Sequence, residues 1–372
     1  MVLKHETVWY TILSIICLIF IIILTIFSPR RSFKQDRAFF PGKITHTVKP
    51  SNRLFRQSSS KEISSNSENN SDKALKGKLS SKAGLGVKAS SEEYSLTFKN
   101  IVILWFLSLL NTALFIFGVI NLFIFIARSA NKKPFSVINA LPRKFSLSSK
   151  SVSMLIFGIT YLYLAMYLVF FALVPKNQPG PGYSLTVFII LSVIFYTFII
   201  IGVLKVIPFK DLGIGLSFEH IVYSVRMYFA TAVVILLTSL LLVLIQRIFH
   251  IHFNAQPMVY VIAALREKWF LTILILEIAI LAPISEEMLF RGIIYNYLKK
   301  RIRWRYAAFL TSLLFAFLHA NLFGFFVIFI ISMAICYVYE KSNNIIAAFF
   351  FHSLHNTFSI ANILILKHLF VS

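Results

Sequence analysis

The sequence predicts an all-α membrane protein, a polytopic bundle of about eight transmembrane helices, on three observations. Hydrophobic residues make up 58% of the 372-residue chain and charged residues only 14%. A soluble domain of this length has too little interior to hide so much apolar side chain. The apolar residues come in runs of about twenty, the length at which a helix crosses a bilayer with every backbone group bonded internally. The mean hydropathy is +0.78, as such runs require. Basic residues gather instead in the connections and in one polar linker, where they set orientation and meet anionic lipid. The net charge of +23 therefore implies no nucleic-acid partner, since no basic stripe is formed.

Taken in order, the first apolar run is Val8 to Phe27. It ends in Ser28-Pro29-Arg30-Arg31 rather than in a small-residue cleavage site, so residues 1–27 read as a retained signal-anchor span. Residues 28–100 change abruptly to Ser, Asn and Lys, as in Gln57-Ser58-Ser59-Ser60. Such a segment buries too little apolar surface to offset its ordering entropy and is expected to be a disordered linker. The further spans are Ile101–Ala127, Val152–Leu173, Leu185–Val206, Met227–Ile245, Trp269–Phe290, Ala307–Phe325, Phe326–Val338 and Ile345–Leu366. The boundary inside Ala307–Val338 is marked only by His319-Ala320-Asn321 and Gly324, which leaves the total at eight or nine. Residues 101–260 are expected to complete the bundle, and residues 261–372 to form its functional core. Cys17 and Cys336 each lie inside an apolar run, so no disulfide framework is built. The basic connections around Arg128–Lys150 and Lys299–Arg305 fall on one side, which the positive-inside bias makes the cytoplasm, with the N-terminus cytoplasmic as well.

Chemistry is expected where ionisable groups enter the apolar runs, since each costs about 2.5–3.5 kcal/mol at the bilayer centre. Glu277, Glu286, Glu287, Arg291, His319, His352 and His355 all do so, and all lie in the last third. In the first element, Pro283 is expected to break a helix and Ser285 to cap the next, with Glu286 and Glu287 in its first turn. Glu287 and Arg291, four apart, share a face and suit an ion pair. Glu286 points about 100° away, free to serve as a general base. The plainer reading, with both glutamates paired to loop arginines, stays open at this point. In the second element, Phe315 and His319 share a helical face, although a lone His at a helix end is more often a satisfied structural group. In the third, His352 and Asn356 project together, as a pair of donors to an oxyanion would, and His355 lies on a neighbouring part of that surface in a supporting place. A metal held by His352, His319 and a Glu is the alternative. No His-Glu-x-x-His, Gly-x-Ser-x-Gly, Walker loop or Gly-x-Gly-x-x-Gly is present.

These three elements resemble the motifs of the type II CAAX prenyl proteases and their bacterial relatives, the CPBP or Abi family of intramembrane proteases. Glu-Glu-x-x-x-Arg, Phe-x-x-x-His and His-x-x-x-Asn stand in order as Glu286-Glu287…Arg291, Phe315…His319 and His352…Asn356, within Trp269–Leu366. The resemblance implies that Glu286 and His319 activate a water and that His352 and Asn356 stabilise the oxyanion. It further implies that Glu287, Arg291 and Phe315 support the site. No cofactor is the favoured expectation, with a divalent metal such as zinc on Glu286, His319 and His352 as the alternative. A hydrophobic or prenylated peptide substrate follows from the same resemblance, and the short chain with a single anchor and no retrieval signal is expected in a bacterial cytoplasmic membrane. Two other functions compete: a non-catalytic bacteriocin-immunity or scaffold protein of the same fold, and a transporter using the ionisable residues as an ion path.

Overall fold

Every regular element among the described residues is a helix. The computed structural model describes residues 98–131, 147–174, 181–208, 211–215, 217–250, 257–265 and 267–370. The expected signal-anchor span and linker lie outside them, except that Phe98–Asn100 already belong to the first helix. In chain order the helices are α1 (Phe98–Ala130), α2 (Ser149–Leu173), α3 (Pro181–Val206), α4 (Phe218–Phe249) and α5 (Pro257–Ala264). The continuous α6 (Lys268–Lys299) follows. Then come α7 (Trp304–Leu318), α8 (Leu322–Ser342) and α9 (Ile345–Phe370). Seven of these are long and apolar enough to cross a membrane, and α7 is a shorter apolar helix.

The apolar runs forecast most helices to within a few residues and misplaced three boundaries. The break expected at Phe325/Phe326 falls at 319–321, where Ala320 turns left-handed at φ 47. Asn321 then caps α8 by accepting the Gly324 N–H at 2.5 Å, so Gly324 opens a helix rather than ending one. Helix α4 starts nine residues before Met227, capped by Ser217. Its polar first turns are compatible with burial because they are paired. Ser217 Oγ and Asn344 Nδ2 both lie on His220 Nδ1, at 2.6 and 3.1 Å, and Arg226 Nε donates to Asn121 Oδ1 at 2.8 Å. Helix α6 runs on past Phe290 to Lys299, carrying Arg291 and Asn296 in buried surroundings.

Pro283 does not break α6, contrary to expectation. The helix absorbs it by widening into a π turn over Glu277–Leu281, in which the Ala282 N–H bonds Glu277 O, five residues back. Ser285 lies inside the helix and donates to Ala282 O at 2.9 Å instead of capping. A second π turn, Met288–Tyr295, follows.

Helix α6 packs against α3, α7 and α9, while α4 lies across α8 and α9. The α8–α9 corner is pinned by Gly213, whose carbonyl accepts the Ile345 N–H at 3.2 Å. Its φ of +72 and the Asn343 carbonyl against its α-carbon leave no room for a side chain. The two basic connections do share one end of the bundle. Arg301 Nη2 donates to Ser149 Oγ at 2.8 Å, next to Lys150.

Candidate active site

The site is assembled on the middle of α6. Glu287 and Arg291 are fully buried and make the ion pair that their spacing suggests, Nη1 to Oε1 at 3.0 Å. Two bare charges in such surroundings need further donors and acceptors. Arg291 Nη2 finds them on α8, donating to Ser332 O at 3.1 Å and to Ser332 Oγ at 2.8 Å. Glu287 finds one on α9, where His352 Nδ1 lies 2.8 Å from the same Oε1. That second contact links the first and third motifs, and helical spacing carries no signal of it. A carboxylate ion-paired to arginine can only accept, so Nδ1 carries the hydrogen and the imidazole is held by its rear nitrogen. His352 Nε2 is thereby presented on the other side, 3.9 Å from Glu286 Oε2. Glu286 itself is partly open, its side chain 20% exposed against 0% for Glu287. Neighbouring carboxylates thus differ in kind: Glu287 is enclosed, with both contacts on Oε1 and no hydrogen-bond partner for Oε2 among the described residues, while Glu286 is partly exposed.

Phe315 is the hub. Its ring lies 4.6 Å from that of His319 and 5.8 Å from that of His352, while the Arg291 guanidinium sits 5.0 Å from its centroid. Residues of all three motifs therefore touch one aromatic side chain. His319 ends α7 with Nδ1 2.7 Å from the carbonyl of Phe315. A carbonyl only accepts, so Nδ1 is the donor and Nε2 of the neutral ring keeps its lone pair. His319 is exposed at the break between α7 and α8.

Asn356 is positioned through Pro283. The Ala282 N–H is committed to Glu277 O and Pro283 has no N–H, so the carbonyl of Ile278 has no helical donor. Asn356 Nδ2 fills the place at 2.8 Å. The carbonyl of Ala279, whose ordinary donor would also be Pro283, takes Ser353 Oγ at 2.6 Å. One hydrogen of the Asn356 amide is used in this clasp and the other is left to donate elsewhere. In the second π turn, Asn296 Nδ2 similarly bonds the carbonyls of Arg291 and Gly292 at 2.8 and 3.0 Å. Ser332 and Ser353 were not singled out from the sequence, although each places a hydroxyl inside an apolar run. His355 packs beside Tyr228, with ring centroids 6.1 Å apart.

Metal ligation needs three or more donors within about 2.0–2.3 Å of one point. Among the described residues no group of three His, Cys, Asp or Glu side chains is placed to hold an ion.

Comparison with known proteins places this constellation. Residues 268–358, from the start of α6 into α9, match the family described as Type II CAAX prenyl endopeptidase Rce1-like. All three motifs fall inside that stretch, so the resemblance read from Glu286-Glu287…Arg291, Phe315…His319 and His352…Asn356 is borne out. The match supports a membrane protease in general terms. No curated protein and no solved structure matches the chain.

Proposed function

We propose that the protein is a membrane-embedded endopeptidase that hydrolyses a peptide bond without a metal, using Glu286 and His319 to activate water. The single observation that supports this best is the gathering of Arg291, His319 and His352 on Phe315, with the open Glu286 beside His352. In the reaction, Glu286 takes a proton as the water oxygen attacks the substrate carbonyl carbon. His319, with its Nε2 lone pair free, accepts a hydrogen bond from that water and orients it. The carbonyl oxygen becomes an oxyanion and receives the second amide hydrogen of Asn356 and a hydrogen on His352 Nε2. His352 presents that hydrogen as imidazolium, with Glu287 balancing the charge through Nδ1. The C–N bond then breaks as Glu286 returns its proton to the leaving amine. A carboxyl and an amine are the products.

The apolar surroundings favour a hydrophobic peptide, prenylated or not, presented from the lipid. An all-apolar pocket lined by Ile284 and Met288 of α6 and by Ile345, Ile346 and Phe349 of α9 could seat an apolar group. A bacterial cytoplasmic membrane, with the N-terminus and the basic connections on the cytoplasmic side, completes the reading.

The test is cleavage of a farnesylated CAAX peptide in lipid by purified wild type, Glu286→Ala and His352→Ala, with and without a chelator. Cleavage by wild type alone, insensitive to chelator, is the expected outcome. Loss on chelation would replace the metal-free route. Cleavage retained by Glu286→Ala but lost in His352→Ala would move proton acceptance to the imidazole.

A further inference from the structure

The two legs of the α7–α8 hairpin are paired along their length. Ring centroids of Trp304 and Tyr337 lie 6.4 Å apart, those of Phe309 and Phe329 5.5 Å, and those of Phe317 and Phe325 4.9 Å. One end is fixed at a membrane surface. There the exposed Arg305 and Lys341 lie over the Trp304 ring, at 5.6 and 5.9 Å from its centroid. An indole beside cations anchors a helix at the headgroup level. From Trp304 to His319 the helix rises about 22 Å at 1.5 Å per residue, whereas a hydrocarbon core is about 30 Å thick. The neighbouring α3, α4 and α9 have apolar segments of 24, 32 and 24 residues, long enough to cross it. The hairpin is a notch in the side of the bundle, about 8 Å short.

A short span is accommodated by long flanking side chains that reach the surface, by a partner copy, or by thinning of the bilayer. No lysine or arginine lies between Arg305 and Lys341, so the far end has no long cation to extend outward. The turn at that end is polar and open: His319 is exposed, Asn321 is half-buried and Ala320 is left-handed. Non-helical backbone facing hydrocarbon is not tolerated. Tyr306, Phe309, Leu310, Phe317 and Phe326 are 43–63% exposed along both legs, so lipid rather than another described helix lies against them. The reaction centre shares the level of this turn. Lys299 pairs with Glu340 at 2.6 Å, next to Lys341 at the anchored end. Glu286 stands thirteen residues before Lys299 on α6, about 20 Å inward.

We propose that the α7–α8 hairpin is a bilayer-thinning surface. Phospholipid beside it is compressed to a core of about 22 Å, which lowers the headgroups and water of the leaflet away from the basic connections to His319 and Glu286. The inference rests on the endopeptidase reading and adds to it the route by which the hydrolytic water reaches a site inside the membrane.

Depth and cleavage are measured separately. Spin labels are placed at Phe309→Cys and at Phe317→Cys in Cys17→Ser protein, where Cys336 is fully enclosed and does not react. Each is reconstituted in phosphatidylcholine bilayers of short, medium and long acyl chains. Depth is read from collisions with oxygen and with a water-soluble nickel complex. In an undisturbed core of about 30 Å, Phe317 lies deeper than Phe309, at about 10 against about 8 Å. Beside a thinned core it lies at about 3 Å and is the shallower of the two. The medium-chain bilayer is expected to give that second order. Wild-type cleavage of the farnesylated peptide is expected to fall about tenfold from short to long chains, as thinning becomes costlier. A Phe317 label deeper than the Phe309 label in medium chains overturns the proposal, as does cleavage indifferent to chain length. A Phe317 label shielded from both reagents reports a second copy on the hairpin and overturns it too. A deep Phe317 label on protein that still cleaves sinks the thinning and leaves the endopeptidase reading intact. A shallow label without cleavage in any lipid does the reverse.

Discussion

Helices α1 and α6 contain apolar segments of similar length, 29 and 32 residues, but treat polar side chains in opposite ways. In α1 only 11% of the most apolar window is buried, against 33% in α6. Trp105, Leu109 and Phe123 of α1 face outward, and the Asn121 side chain is turned inward onto Phe117 O and Arg226. Helix α6 holds Glu277, Glu286, Glu287 and Arg291 within fifteen residues, with two π turns among them. The difference teaches where a membrane protein can afford charge. A carboxylate facing lipid has no donors, whereas the enclosed Glu287 meets Arg291 of its own helix and His352 of α9.

The contrast breaks most visibly at the buried pair. Arg291→Ala leaves Glu287 charged, buried and without its counterion, a cost of about 3–5 kcal/mol. Loss of monodisperse protein in detergent is expected, read by size-exclusion chromatography. Glu286→Gln, next door but partly open, should behave differently. Folded yield stays at the wild-type level while peptide cleavage falls by a factor of about 10²–10⁴, the range for loss of a general base. Pro283→Ala comes third. The restored N–H competes with Asn356 and Ser353 for the carbonyls of Ile278 and Ala279, so Asn356 is displaced. Cleavage should drop about 10- to 100-fold with thermal stability unchanged or raised, as measured by kcat and by thermal unfolding. The smallest effect belongs to α1. Leu109→Ala, at a side chain 70% exposed, should change stability by less than about 0.5 kcal/mol and leave cleavage alone.

Much of the fold was legible because lipid imposes one rule on every span, and runs such as Val152–Leu173 and Ile345–Leu366 follow it. The motif residues were legible because helical spacing sets Glu287 on Arg291, and because charge inside an apolar run is conspicuous. What escaped were bonds between helices. Glu287 with His352, Arg291 with Ser332 and Asn356 with Ile278 join residues 65, 41 and 78 positions apart, where periodicity carries no signal. The same bonds explain the misplaced ends. His220, Arg226 and Asn296 look like loop residues to a hydropathy reading, yet each is paired inside a helix. Pro283 was read as a helix breaker, while the π turn converts its missing N–H into a grip for α9.

The central claim, that the open carboxylate of α6 drives hydrolysis, is tested most directly by cleaving a lipid-embedded farnesylated peptide in ¹⁸O-labelled water. The account predicts one ¹⁸O atom in the new C-terminal carboxyl of the wild-type product and no product from equally folded Glu286→Gln. Labelled product formed at the wild-type rate by Glu286→Gln would contradict it.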